Sequence, residues 1–359
     1  MKEEKKVTVY DLADALGVSV GTIYRALHNK GRISPATKKK VLEMAEKMNF
    51  KINRAAQSLK RDPIIIGGIL CCPVVSYIEE VKRGMTAAFD KLSDLNVTAD
   101  IRTIIWDEQS YDEHAEVIAA ILDEFMQKKY QGLILHLPHV KSLLCKKINL
   151  AAQSGMTIAT VGNDLHNIER KIYISADGKC AGRLAAEMLS YCCEGKRIAL
   201  LTGSRFTSIH AANIEGFFSY TCPIPFEAVD VMENYDNAEI FKEQMNQIIY
   251  SGRYSGVYIT SAISITLPQF IKDWNQIRLR IITTDLFEEN KRLLQERAIC
   301  ATIFQDPFRQ GNCVVKKLYR YINENIGEGR KLIVPQIIFF SNRNLYEESE
   351  LSPNEDIHS

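Results

Sequence analysis

Arg25 stands where a guanidinium reads base pairs best. It lies in the run SVGTIYRAL, three residues after Thr22 and six after Ser19. A planar fork in that place can bond guanine O6 and N7 together, worth about 1 to 3 kcal/mol against a wrong base. Thr22, Arg32, Lys38 and Lys39 surround it with groups suited to holding phosphates whatever the sequence. Two structural alternatives stay open: Arg25 paired with an acidic neighbour, and Tyr10 packed on a third helix. Other chemistries find less support. Nine cysteines are scattered without a CxxC, and the pairs Cys71/Cys72 and Cys192/Cys193 have no second pair at metal spacing, so they read as small buried hydrophobes. His136 and His139 follow an apolar run without further ligands nearby and read as the lining of a cleft. Gly67-Gly68 sits inside a strand rather than in a phosphate-cradling turn, GxSxG is absent, and Ser204 lacks an identifiable base.

The elements that would position Arg25 follow from local signals. Thr8 precedes the apolar-periodic Val9, Leu12, Ala13 and Leu16, with Asp11 completing a variant capping box, and Gly17 ends that helix. Ser19 caps a second helix that turns Ile23, Ala26 and Leu27 inward and leaves Val20, Gly21, Thr22 and Arg25 outside. Ser34 and Pro35 open a third helix, predicted to bury Val41, Leu42, Ala45 and Met48. Two short helices around a glycine turn, braced by a third, form a helix-turn-helix whose second helix suits the major groove.

Charge agrees with this division. Residues 1–61 hold 14 basic and 6 acidic side chains, a surplus of eight, whereas the remainder carries seven more acidic than basic ones. A polyanion partner is therefore expected at one end only. At 359 residues, 46% hydrophobic and 25% charged, the chain is long enough for more than one domain and too ordinary in composition for global disorder. Its longest apolar stretch, Ile64 to Val75, is broken by two glycines and a proline, and the charged start MKEEKK leaves no room for a secretory h-region. A cytoplasmic, nucleoid-associated protein without membrane contact is expected.

The segment VTVYDLADALGVSVGTIYRALHNKGRISPATKKKVLEMAEKMNFKINRAAQSLK resembles, without a gap from Val7 to Lys60, the headpiece of the lactose-repressor (LacI/GalR) family of bacterial transcriptional regulators. The resemblance implies that Val20, Gly21 and Arg25 face bases, that 53–60 forms a hinge helix, and that Leu59 is a minor-groove wedge. An apolar side chain pushed between base steps kinks the duplex, and so short a helix folds only on DNA. The DNA-contacting set implied is Thr8, Tyr10, Ser19, Val20, Gly21, Thr22, Tyr24, Arg25, Asn29, Arg32, Ser34, Asn53, Ala56 and Leu59. Tyr24 replaces the family's usual Ser and His28 its common Asn, while Gly21 offers no side chain to a base, so the operator is not transferable.

Beyond Pro63, apolar runs (IIIGGIL, ADIRTII, GLILHL, MTIATVG, RIALLTG, GVYIT, RIITTD, CATIFQ) alternate with helical segments. That alternation predicts an α/β architecture of doubly wound parallel sheets in two lobes, with ligand bound beyond the carboxyl ends of the strands. The motifs SADGKCAGRLAAEML, NIEGFF, TTDLF and TIFQDPFRQG resemble the family's sensor, which is similar to periplasmic sugar-binding proteins of the ribose type. Asp285 and Gln305 are implied to contact an effector. Tyr77 or Trp106 would cover a sugar's apolar face, and His136, Asp164 and Asn213 complete the candidate set, Asn213 standing where the family often has Arg. Helix capping remains the alternative for Asp177 and Asp285.

The expected organisation is a headpiece at 1–50, a hinge at 51–62 and a sensor at 63–346. Lobe 1 is placed at about 63–166 and 305–331, lobe 2 at about 167–304 and 332–346, and a flexible tail at 347–359. The expected function is that of an effector-controlled regulator, a repressor of carbohydrate genes. It would bind a near-palindromic operator as a homodimer, with a sugar or sugar derivative as effector, no cofactor, no metal and no catalysis. The tail lacks a leucine heptad for tetramer formation. A sugar-kinase-like enzyme carrying a headpiece and an effector-independent architectural DNA binder are the alternatives.

Overall fold

The computed structural model describes residues 7–28, 33–48, 50, 62–193, 197–221, 226–271 and 278–343. The chain divides into two compact units, Met1–Asp62 and Pro63–Ser359.

In the first unit, α1 (Val9–Leu16), α2 (Val20–His28) and α3 (Pro35–Lys47) share one small core. The caps are those the sequence signals. Thr8 Oγ1 accepts the Asp11 N–H at 3.3 Å while Asp11 returns a bond to the Thr8 N–H, and Gly17 closes α1 in the left-handed region at φ 62°. Ser19 and Ser34 accept the N–H groups of Thr22 and Thr37. Leu12, Ile23, Ala26, Val41 and Ala45 are buried. Leu42 departs from its expected place: it is 45% exposed, because the buried row of α3 runs through Val41 and Ala45, one helical turn apart, with Met44 and Met48 half-buried beside it.

The second unit is built on two six-stranded sheets with the same winding. The first comprises β1 (Ile64–Cys72), β2 (Val97–Ile105), β3 (Gly132–His136), β4 (Thr157–Val161), β5 (Ile172–Ala176) and β11 (Gly329–Ile333), in the order β11-β5-β4-β3-β1-β2. The second comprises β6 (Arg197–Thr202), β7 (Ala228–Glu233), β8 (Tyr254–Ile259), β9 (Arg280–Thr284), β10 (Ala301–Phe304) and β12 (Gln336–Ile338), in the order β12-β10-β9-β8-β6-β7. Pairing is parallel throughout except β10 with β12. Central strands such as β3 and β5 are buried along their whole length, whereas the edge strand β7 is half-buried throughout.

Helices cover both faces of each sheet. In the first lobe α4 (Val75–Leu92) and α12 (Pro307–Glu324) seal one apolar cluster, and α5 (Tyr111–Gln127) with α6 (Ser142–Gln153) seals the other. In the second lobe α7 (Gly178–Cys192) and α8 (Ser208–Ser219) lie on one face, while α9 (Ala238–Ser251) and α11 (Glu288–Gln295) lie on the other, with the short α10 (Leu267–Phe270) beside them.

Two lobe boundaries differ from expectation. β5 had been assigned to the second lobe, yet it pairs in parallel with β4 (Ala159↔Ile172) and with β11, so the first crossing follows Ala176 rather than residue 166. The last crossing follows Ile333, because β11 continues its pairing with β5 to Ile333↔Ala176. Among the described residues no helix is long and apolar enough to cross a membrane.

Candidate effector cleft and nucleic-acid interface

Parallel winding brings the carboxyl ends of both sheets to face each other, and a cleft opens there. Its wall is made of residues at or just past strand ends. Cys71 and Cys72 end β1, Trp106 follows β2, His136 ends β3, and Asn163 follows β4. From the other lobe come Thr260 and Ser261 after β8, Thr284 and Asp285 at β9, and Gln305 after β10. Tyr77 enters from the first turn of α4, and His210 from that of α8.

Five expected effector residues, Tyr77, Trp106, His136, Asp285 and Gln305, meet in this wall. Asp285 is no helix cap: its Oδ1 accepts the Gln305 N–H at 2.9 Å, and α11 is preceded by Phe287 without a side-chain cap. Burial pushes the Asp285 carboxyl up to about 7, against the Gln305 bond that pulls it down, and the charges of Asp306 and Glu80 raise it further. The Tyr77 hydroxyl donates to Gln310 (3.3 Å), whose amide donates to the Gln305 carbonyl (2.9 Å), so α12 ties both residues together. His136 donates Nδ1–H to the Val161 carbonyl (2.8 Å), a group that can only accept. Burial lowers this imidazole to about 4, so it stays neutral at physiological pH. Gly162, at φ 76°, makes room for that ring; a Cβ there would lie 2.6 Å from it and 3.1 Å from the Tyr77 hydroxyl. Trp106, 4% exposed, is fixed by Tyr111, His114 and His139.

Asp164 and Asn213 are not in the wall. Asp164 accepts Arg170 Nε at 2.7 Å, and its N–H donates to Ser208 across the lobes, so its carboxylate is already engaged. Asn213 is fully buried beneath Tyr258, whose hydroxyl it accepts at 2.6 Å, and it donates to the Ile209 carbonyl. Asp177 takes the capping role, its Oδ1 accepting the Cys180 N–H at the start of α7.

Sequence reading missed Asn163, His210, Asp236 and Thr260. His210 Nε2 lies 3.6 Å from Asp236 Oδ2, while its Nδ1 and Thr260 Oγ1 are 3.0 Å apart, and Thr260 donates on to Thr202. Burial raises the Asp236 carboxyl, but the bond and charge of His210 and a bond from Ser261 together outweigh that, and the net shift is downward. Asp236 Oδ1 and Asn163 Oδ1 are buried at the cleft without a hydrogen-bond partner. Buried acceptors left unmatched cost free energy unless a donor arrives. Tyr235, Asp236, Asp285 and Asp306 all occupy the left-handed backbone region, and strain of this kind gathers at binding sites. The rule that a site lies just past strand ends would have pointed to Asp236 had β7 been recognised; its mixed sequence AVDVME hid it.

Burial disfavours the thiolate form of the two thiols at the cleft. Burial pushes Cys72 up to about 12 and Cys71 higher still. Among the described residues no group of three His, Cys, Asp or Glu side chains could hold a metal ion.

In the first unit, Ser19, Val20, Gly21, Tyr24 and Arg25 are exposed along the start of α2, with Thr22 half-buried. The Arg25 guanidinium bonds Thr22 Oγ1 (3.4 Å) rather than an acidic neighbour, and Tyr10 is 70% exposed rather than packed on α3. Thr8 and Ser34 are exposed caps. Asn29, Arg32, Asn53, Ala56 and Leu59, with the expected hinge helix and the 347–359 tail, lie outside the described residues.

Comparison with known proteins adds to this geometry. Residues 72–327 match the family model of the periplasmic binding protein domain, and residues 8–53 match that of bacterial regulatory proteins of the lacI family. The maltose regulon regulatory protein MalI of Escherichia coli is 37% identical over 91 residues, covering 25% of this chain and 27% of that protein. The ribose operon repressor of Bacillus subtilis is 29% identical over 197 residues, covering 55% of this chain and 54% of that protein. These matches thus span about a quarter and about half of the relatives' lengths. An ABC transporter solute-binding protein from Burkholderia graminis, solved with D-arabinose, superposes with a TM-score of 0.67 at 16% identity, covering 78% of this chain and 96% of that one. The Lac repressor bound to ONPG superposes at 0.60 and 18% identity, covering 93% of this chain and 98% of that one. Identities this low speak for a shared fold.

Proposed function

The chain belongs to the periplasmic binding protein domain family over residues 72–327 and carries the helix-turn-helix of the lacI family of regulatory proteins at 8–53, and from that premise we propose that it is an effector-controlled, sequence-specific transcriptional regulator. The observation that carries the proposal is a pair of features on one chain: a second helix that presents Arg25 on its exposed face, the guanidinium bonded to Thr22, and a two-lobed cleft holding unmatched buried acceptors.

In this reading the protein is a homodimer. Two headpieces read the half-sites of a near-palindromic operator, with Val20, Gly21 and Arg25 at the base edges and Thr22 and Tyr24 on the backbone. The paired hinge segments, with Leu59 as wedge, open the minor groove between them. A sugar or sugar derivative enters the cleft and bonds Asp285, Gln305 and Asp236. It changes occupancy of the operator by as much as it prefers one arrangement of the lobes over the other. Carbohydrate genes are the expected targets, since the similar proteins include a ribose operon repressor and an arabinose-bound transporter component.

Regulation rather than catalysis fits the cleft, where the thiols are held protonated and Ser204 Oγ accepts the Phe206 N–H. A regulator of this kind acts in the cytoplasm. The test is fluorescence anisotropy of the full chain on a selected duplex, titrated with neutral sugars. Sugar-dependent release or tightening supports the proposal; binding to DNA that no sugar alters favours an effector-independent architectural protein.

A further inference from the structure

The cleft's charge is one-sided. Asp236 and Asp285 line it, and among the described residues no lysine or arginine belongs to its wall. The guanidiniums that come close in sequence are already committed, Arg205 to Glu233 at 3.0 Å and Arg170 to Asp164. Three imidazoles also line the wall: His136 bonded to Val161, His139 against Trp106, and His210 between Asp236 and Thr260. Two oxygen acceptors at the cleft await a donor, Asp236 Oδ1 and Asn163 Oδ1, the latter on an amide whose nitrogen already donates to the Leu137 carbonyl.

From this arrangement we infer that Asp236, together with Asp285, is a charge filter. The pair admits polyhydroxylated effectors that are uncharged or carry an amino group, and it rejects those bearing a phosphate or carboxylate. A hydroxyl or ammonium group supplies the donor that Asp236 Oδ1 lacks, whereas an anionic group brings a further acceptor and a like charge into a water-poor site. The position of Asp236 is fixed from behind. A Cβ on Gly203 would lie 2.7 Å from its Oδ2 and 2.6 Å from His210 Nε2, so carboxylate and imidazole press on bare backbone and have no slack to turn away from an anion.

The inference rests on the cleft being the effector site, and one experiment separates the two. The full-length protein is titrated calorimetrically with D-ribose, D-xylose, D-galactose and D-glucose, then with the monophosphate ester, the acid and the amino derivative of whichever binds best. At pH 8, where Asp285 is ionised, the expected result is binding of the neutral and amino forms and roughly tenfold or greater loss for the phosphate and the acid. Asp236→Asn narrows that gap, and Asp285→Asn, which keeps an oxygen for the Gln305 N–H, narrows it independently should the first variant fold poorly. An anionic form that binds as well as its neutral parent overturns the filter and leaves the sugar reading intact, as does a gap that neither variant changes. No binding by any form overturns the sugar reading and the filter with it.

Discussion

Asp285 makes effector affinity depend on pH with a sign and midpoint fixed by its surroundings. Its carboxyl is 1% exposed and is pushed up from 3.8 to about 7 by burial. Hydroxyl groups of a polyol donate more strongly to the carboxylate than to the protonated acid, so binding favours the ionised form and releases a proton at neutral pH. Near pH 6 about a tenth of free molecules carry Asp285 ionised and near pH 8 about nine-tenths, so affinity for a neutral sugar should rise roughly tenfold over that interval and level off above it. His136, lowered to about 4, contributes nothing to this range. The linked effect on stability has the opposite sign. In the folded sensor Asp285 holds its proton more tightly than in the unfolded chain, so raising the pH from 4 through 7 destabilises the unliganded sensor, and bound ligand offsets the loss. Isothermal titration at several pH values, in buffers of different ionisation enthalpy, measures both affinity and proton release. An affinity that is flat or falls between pH 6 and 8 refutes the reasoning, and so does a slope that survives unchanged in Asp285→Asn.

Further predictions concern both units. Arg25→Ala should cost about 1 to 3 kcal/mol on the selected operator while leaving salt-sensitive binding to random duplex nearly intact; equal losses on both, measured by anisotropy, would remove its base-reading role. Ile23→Ala empties the middle of the headpiece core and should lower that unit's stability by about 2 to 5 kcal/mol without moving the sensor's melting transition, as calorimetry of the full chain would show. Gly162→Ala places a Cβ against His136 at a left-handed backbone position, so both sensor melting temperature and sugar affinity should fall. Leu59→Ala should reduce the bend of bound operator in a circular-permutation gel assay, and an unaltered bend would end the wedge proposal.

Much of the headpiece is legible in sequence because its signals are local. Caps at Thr8, Ser19 and Ser34, the stop at Gly17 and the inward faces of three short helices act within a few residues of themselves. Leu42 shows the limit of that reading, for apolar character placed it in a core that only the angle of α3 could grant or deny. In the sensor, strands such as β1 and β3 announce themselves by apolar runs, and Asp285 and Gln305, implied by the resemblance to sugar-binding sensors, do lie past strand ends beside Trp106 and His136. Pairing between distant strands leaves no such local trace. Nothing in IYISA says whether β5 joins β4 or the second sheet, and edge strands such as β7, half-buried and mixed, hide the loop that presents Asp236. Asn213 and Asp164 failed to reach the cleft for a related reason: their partners, Tyr258 and Arg170, are assembled by the fold rather than by sequence spacing.

We propose that the two units work together, one reading DNA and the other governing it through a neutral sugar. Selection of full-length protein on randomised duplex DNA, repeated with and without the best-binding sugar, tests this most directly. An enriched motif with two-fold symmetry whose recovery changes with the sugar is the expected result, while pools that stay random under both conditions would contradict the account.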